Sequence, residues 1–141
     1  MITKEELKEH YRLKQETVEL EETIKKLQLQ AQSVSATKIT GAPAGSGSPD
    51  KIADNLSRIE KLIQYYQQKL EKLLIQQKRI EEAIESLPTN ERLLMRYRYI
   101  DGLDWVDVAA NMNYSWQWMH KIHARILKKL SGKDKEATQS D

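Results

Sequence analysis

The chain has no cysteine and no phenylalanine among its 141 residues. The first absence excludes a disulfide framework and a thiolate metal site, and it fits a reducing, cytoplasmic compartment. The second, with aromatics at only 6%, removes the material of a large aromatic-rich enzyme core. No run of 18 apolar residues occurs, and the opening stretch with Lys4, Glu5 and Glu6 lacks the basic stub and apolar run of a secretory leader. No membrane association is expected. Also missing are a glycine-rich phosphate loop, a serine elbow, an HExxH pair and a credible pair of catalytic carboxylates, so neither an enzymatic activity nor a cofactor is expected.

Charge, by contrast, is plentiful. Lys, Arg, Asp and Glu make up 31% of the chain, against the roughly 25% of an average soluble domain, which is the composition of long solvated helices. The net charge of +2 hides its distribution. Residues 1–86 hold 14 cations and 14 acids, whereas Ser115 to Leu130 holds four cations (Lys121, Arg125, Lys128, Lys129) and no acid.

The few glycines and prolines are unevenly placed, with Gly41, Pro43, Gly45, Gly47 and Pro49 falling within nine residues. Residues 33–50 therefore read as a flexible linker. Before it, Leu13, Leu20 and Leu27 recur every seven residues, with Thr3 and Glu6 as a capping box, which predicts one helix over about 3–31. His10 and Thr17 occupy places that a tight seam would fill with aliphatics.

After the linker the heptad pattern is regular. Ile52, Leu56, Ile59, Ile63, Tyr66 and Leu70, then Leu73, Gln77, Ile80, Ile84 and Leu87, alternate spacings of four and three and predict a coiled-coil helix over 51–87, with Asp50 as N-cap. Gln77, the one polar member, reads as a register-setting position. A linker of this length spans roughly 23 Å, whereas a parallel pairing requires roughly 40 Å, so an antiparallel hairpin is expected. Leu62, Leu74 and Ile75 lie off the seam and suit a homo-oligomer, a dimer or tetramer of hairpins.

The character changes at Leu87 and Pro88, beyond which lie all three Trp and three of the six Tyr. Thr89 is a candidate cap for a short helix with Leu93, Leu94, Tyr97 and Ile100 inward, ended by Gly102. Asp104 opens a second helix with Trp105, Val108, Ala109 and Met112 on one face; Asn113 and Tyr114 turn the chain. Ser115 caps a third helix to about Leu130, with Met119, Ile122, Ile126, Leu127 and Leu130 inward. The expectation is an all-α protein: a long antiparallel helical hairpin or coiled coil over 1–87, a three-helix helix-turn-helix domain over 88–131, and a disordered tail over 132–141.

The last helix carries Gln117, His120, Lys121, Ala124, Arg125 and Lys128 opposite its apolar stripe. A DNA major groove admits one helix, with its first side chains at base edges and later Lys and Arg at phosphates. Gln117 and Lys121 suit base edges, and Arg125 and Lys128 suit the backbone. The competing reading is a merely solvated basic face. Trp116 and Trp118, two apart, cannot share a face, so one is expected to pack and the other to be exposed. His120 and His123 have a metal-compatible spacing, but too few further ligands are near, so no metal is expected.

The run Leu93-Leu94-Met95-Arg96-Tyr97-Arg98-Tyr99-Ile100-Asp101-Gly102-Leu103-Asp104-Trp105, followed by Val108-Ala109, Asn113-Tyr114-Ser115, Ile122-His123 and Leu127-Lys128-Lys129-Leu130, resembles region 4 of bacterial sigma factors. The whole chain, including residues 45–54, is similar to small phage and prophage late transcriptional regulators of the RinA/ArpU kind. That resemblance implies activation of late phage genes in the cytoplasm of a bacterial host by binding double-stranded DNA, with host RNA polymerase as a candidate partner. It implies DNA contacts from Ser115, Trp116, Gln117, Trp118, His120 and Lys121, where the family more often places Arg or Gln at the two Trp positions. The alternatives are an interaction protein that binds RNA polymerase or a sigma factor, and a DNA-packaging adaptor of the small-terminase type.

Overall fold

A computed structural model describes the backbone of residues 1–39 and 49–132 and the side chains of 1–33 and 50–132. Every regular element among them is helical: α1 Lys4–Ile39, α2 Pro49–Ile84, α3 Thr89–Met95 continued by one π-helical turn Arg96–Ile100, α4 Trp105–Met112 and α5 Trp116–Ser131. The all-α expectation holds. Residues 40–48 and 133–141, the heart of the expected linker and the expected tail, lie outside the described residues.

Both long helices outrun their expected limits at the linker side. Ser and Thr cost a helix only about 0.5 kcal/mol each, so the stretch after Ala31 does not end α1, which continues to Ile39 just ahead of Gly41 and Pro43. Pro49, rather than preceding α2, is its first residue, a position that suits proline because its missing N–H has no helical partner; Asp50 is thus inside the helix and not its cap. At the other end α2 stops at Ile84 instead of 87, because Pro88 drives the preceding residue out of the α region, and Leu87 N–H turns back to the Ile84 carbonyl at 3.1 Å.

The chain forms two compact units, Glu16–Lys72 and the combination of Met1–Gln15 with the residues from Leu73 onward. In the first, Lys69 bonds Glu16 at 2.8 Å, and Ile59 and Ile24 are buried. In the second, Arg79 bonds Glu6 at 3.1 Å and Gln76 Oε1 accepts from His10 Nδ1 at 2.9 Å. In each unit numbering rises along α1 as it falls along α2, which is the antiparallel hairpin.

The seam is less even than its sequence. Ile59, Leu73, Ile80 and Ile84 are buried, while Ile52, Ile63, Tyr66, Leu70 and Gln77 are half-buried. Leu56 is 50% exposed, a departure from its seam assignment, because two helices alone cannot cover a stripe this broad. Gln77, read as a register-setting position, bonds Glu81 on its own helix at 3.3 Å, and it is Gln76 that reaches across to the buried His10.

The core of the second unit draws on Ile80, Ile84 and Leu87 of the α2 end, Leu94, Met95, Tyr99 and Ile100 of the α3 region, and Val108. Met119, Ile122, Ile126 and Leu130 enter from α5. Ile2 and Leu7 enter from the N-terminus, where Ile2 N–H bonds the Leu130 carbonyl at 3.1 Å. A division at Leu87 and Pro88 is therefore not where compactness divides, since a three-helix segment of this size cannot close a core alone and takes the missing side chains from both long helices.

The inner face of α3 differs in part: Leu94 and Ile100 are buried as expected, but Leu93 is exposed, and Glu91, Met95 and Tyr99 are buried. A π turn, closed by Asp101 N–H to the Arg96 carbonyl at 2.8 Å, continues the helix. Thr89 is the first helical residue and makes no side-chain cap; Pro88 holds the cap position. Gly102 follows with φ +73°, the left-handed conformation expected of it.

Glu91 is 1% exposed. Its two oxygens accept from Lys129 Nζ at 2.9 Å each, and Arg125 Nε lies 3.6 Å from Oε1. Removing Lys129 leaves this carboxylate buried with one distant partner. Lys129→Met should lower unfolding free energy in urea by about 1–3 kcal/mol, and Glu91→Gln added to it should restore part of the loss. An unchanged midpoint in Lys129→Met would contradict the assigned role.

Candidate nucleic-acid interface

The segment from α4 to α5 is held by short-range chemistry. Asp104 caps α4, accepting from Asp107 N–H at 2.9 Å. Asn113 ends it in the left-handed region (φ 59°), which Asn tolerates better than most residues. Ser115 caps α5, accepting from Trp118 N–H at 3.2 Å, and Gly132 closes it at φ +80°. Val108, Met119 and Ile122 are buried where α4 packs on α5, with Ala109 half-buried. Two short helices joined by a tight turn result, with α5 the longer.

The opposite face of α5 presents Gln117, Lys121, Ala124, Arg125 and Lys128 to solvent. These recur every three or four residues, so they form one stripe. Arg125 differs from Lys121 and Lys128 in having the Glu91 carboxylate beside it. Ser115 is exposed, its hydroxyl engaged in the cap.

Trp116 and Trp118 are 49% and 48% exposed, so the expected split into one packed and one exposed indole is replaced by two half-exposed ones. The Trp116 ring meets His120 edge-on at 4.5 Å, which draws His120 off the solvent face into a half-buried position. His120 also leans on Trp105 at 5.3 Å, and His123 meets Trp105 at 4.5 Å. The chain of rings continues to Tyr99, whose hydroxyl bonds His123 Nε2 at 2.8 Å. Burial pushes the Tyr99 hydroxyl up to about 12, so it keeps its proton and donates. Burial, followed by the positive charge of Arg98, His120 and Lys4, lowers His123 to about 4, so its Nε2 is free to accept. Burial likewise lowers His10, with its bond to Gln76 opposing.

Sequence reasoning missed a second basic surface within the same unit. An open cleft of about 560 Å³ lies beside the start of α5, with His120 and His123 on one wall and Lys4, Lys8, Arg12 and Arg98 among its lining. Arg98 is fixed there: its guanidinium carbon sits 3.6 Å from the Tyr11 ring centroid and 4.2 Å from that of Trp105, and Nη1 donates to the Leu103 carbonyl at 3.1 Å. The spacing of Lys4, Lys8 and Arg12, four apart, was the available signal; what the sequence could not supply was their nearness to α5.

Among the described residues no helix is long and apolar enough to cross a membrane. No group of three metal-ligating side chains is gathered among them either. No protein-family model, curated protein or solved structure matches the chain.

The lowered histidines set a pH dependence. The folded His123 resists protonation down to about 4, whereas an unfolded histidine takes its proton near 6.5, so the unfolded state binds more protons between these values. The stability that its neutral form supports is therefore present above pH 6.5 and lost as pH falls toward about 4, by on the order of 3 kcal/mol for a shift of this size. Melting temperature followed from pH 8 to pH 4 should fall along this window, and His123→Gln should flatten the curve. A wild-type curve level across that window would contradict the buried neutral imidazole.

Proposed function

We propose that the chain is a sequence-specific, double-stranded DNA-binding transcription regulator that reads the major groove with α5. The observation that carries this reading is the outward stripe Gln117, Lys121, Ala124 and Lys128 on a helix held by a capped turn. No acid lies anywhere from Ser115 to Leu130, so nothing on the helix repels phosphate. In this reading Gln117 and Lys121 meet base edges near the helix N-terminus, and Lys128 meets the backbone. Arg125 contributes less, because its charge also serves Glu91. Trp116 and Trp118 offer half-exposed indoles to sugars or thymine methyl groups.

The resemblance to sigma-factor region 4 and to RinA/ArpU-like regulators supports a finer proposal: a phage-encoded activator of late genes in a bacterial cytoplasm, working near RNA polymerase. Pairing of two chains would place two α5 helices on half-sites one helical turn apart. Leu74 and Ile75, 55% and 66% exposed on α2, support such pairing.

Selection of duplexes from a random library tests the main reading. A short reproducible motif should emerge, and Lys121→Ala should weaken binding to it by about 1–3 kcal/mol, roughly 5- to 150-fold. The exposed Trp116, Trp118 and Val106 favour one second reading, a protein partner such as polymerase or a sigma factor. Absence of any enriched motif at low salt would move the assignment there. Light-scattering mass should report a dimer or tetramer; a large ring would instead fit a packaging adaptor.

A further inference from the structure

The helix-turn-helix stripe does not account for the cleft beside it. Lys4, Lys8 and Arg12 stand one turn apart on α1, where like charges repel, and Arg98 joins them from the π turn. No carboxylate lines the cleft. Several cations elsewhere in the described structure have acidic partners, as in Lys69 with Glu16, Arg79 with Glu6, Arg96 with Glu81 and Lys129 with Glu91. None of the four cations of the cleft has an ion pair among the described residues. Two buried nitrogens at the same place, Arg98 Nε and His120 Nε2, have no hydrogen-bond partner. Buried polar groups usually have a partner, and an oxygen-rich ligand or a water reaching the cleft would supply one here.

The aromatic lining narrows the ligand. Trp105 is already occupied by Arg98, His120 and His123, and the Tyr11 ring by Arg98. The Tyr99 hydroxyl is bonded to His123. Little free ring surface remains to stack a base, while the cations remain available. The complementary ligand is a phosphate, not a nucleoside.

We infer that this cleft binds backbone phosphates of the duplex whose bases α5 reads, so that the N-terminal helix extends the DNA footprint beyond the helix-turn-helix. The inference rests on the proposed DNA-binding function. Continuity supplies the link: His120 lines the cleft and contacts Trp116, the first residue of α5, so a strand passing the α5 N-terminus meets the cleft next. The Arg98 guanidinium held in place, with the exposed cations of Lys4, Lys8 and Arg12 beside it, suits diester oxygens. Phosphate contacts position the duplex without reading its sequence.

The test is the full-length double variant Lys8→Gln/Arg12→Gln, whose exposed positions should leave the melting temperature unchanged. Binding to the selected motif is titrated at several salt concentrations beside wild type and Lys121→Ala. Affinity should fall about tenfold for matched and unmatched duplexes alike, and the salt slope should flatten by about 1–2, close to one for each phosphate that the variant no longer neutralises. Lys121→Ala should instead lose discrimination between duplexes. An unchanged slope and affinity in the double variant, with Lys121→Ala still defective, overturns the cleft alone. Wild type that binds no duplex overturns the DNA-binding reading and this inference together. Inorganic phosphate that perturbs Trp fluorescence through Lys8 and Arg12, with DNA affinity untouched in the double variant, assigns the cleft to a free anion and likewise overturns the duplex assignment.

Discussion

The unit that carries α5 depends on one buried carboxylate. Taking a carboxylate out of water costs several kcal/mol unless cations follow it. Here Lys129 and Arg125 follow, both from α5 and one turn apart, so the price of burying Glu91 is met only when α5 sits at one rotation and one height against α3. Each step of four residues along a helix turns the side chain by about 40°. The row Gln117, Lys121, Arg125, Lys129 thus begins in solvent and ends against Glu91. Satisfying the inner end of the row fixes what the outer end presents.

A second constraint acts on the other flank of α5. Neutral His123 accepts from a tyrosine held in its protonated form, and both rings pack within the Trp105 and Arg98 cluster. The positive charges nearby, Arg98 and Lys4 among them, favour the neutral imidazole as burial does. Orientation of α5 is therefore coupled to the N-terminal turns of α1 through electrostatics as well as through Ile2 and Leu7 in the core. Removing either flank would free the helix to roll.

Much of this was legible in the sequence because it was local. Thr3 with Glu6, Asp104 with Asp107, and Ser115 three residues before Trp118 are contacts within one turn, and all form as read. The stripe of Met119, Ile122, Ile126, Leu127 and Leu130 follows from helical period alone. What escaped was set by distance along the chain or by backbone irregularity. Nothing near Glu91 announces that it will be buried, since Lys129 lies 38 residues away. The π turn over Arg96–Ile100 has no period-3.6 signature, and next to the legible Leu94 and Ile100 the sequence does not single out Met95 and Tyr99 over Leu93 as inward. Composition ended the first helix too early, because serine and threonine weaken a helix without stopping it and α1 runs to Ile39. Of the candidate interface, the α5 face was readable and the α1 wall was not: Lys4, Lys8 and Arg12 look like any solvated helical edge until the fold brings His120 beside them.

A chain of small net charge can still gather cations locally, as Lys4, Lys8, Arg12 and Arg98 do around the cleft. Residues 1–86 are balanced, 14 cations against 14 acids, and composition alone gives them no affinity for an anion. The fold breaks the balance locally. Glu6 is drawn to Arg79 and Glu16 to Lys69, on the side of α1 that meets α2 in each unit, and these acids are removed from competition with the cleft cations. Lys8 and Arg12 are left facing the cleft beside Arg98. At an ionic strength of 0.1 M interactions fade beyond roughly 10 Å, so a polyanion at this surface senses the local arrangement of charges and not the neutral sum of the chain. Pairing of Glu6 and Glu16 with α2, while Lys8 and Arg12 face the cleft, is thus how a nearly neutral hairpin comes to carry a local cluster of cations beside α5.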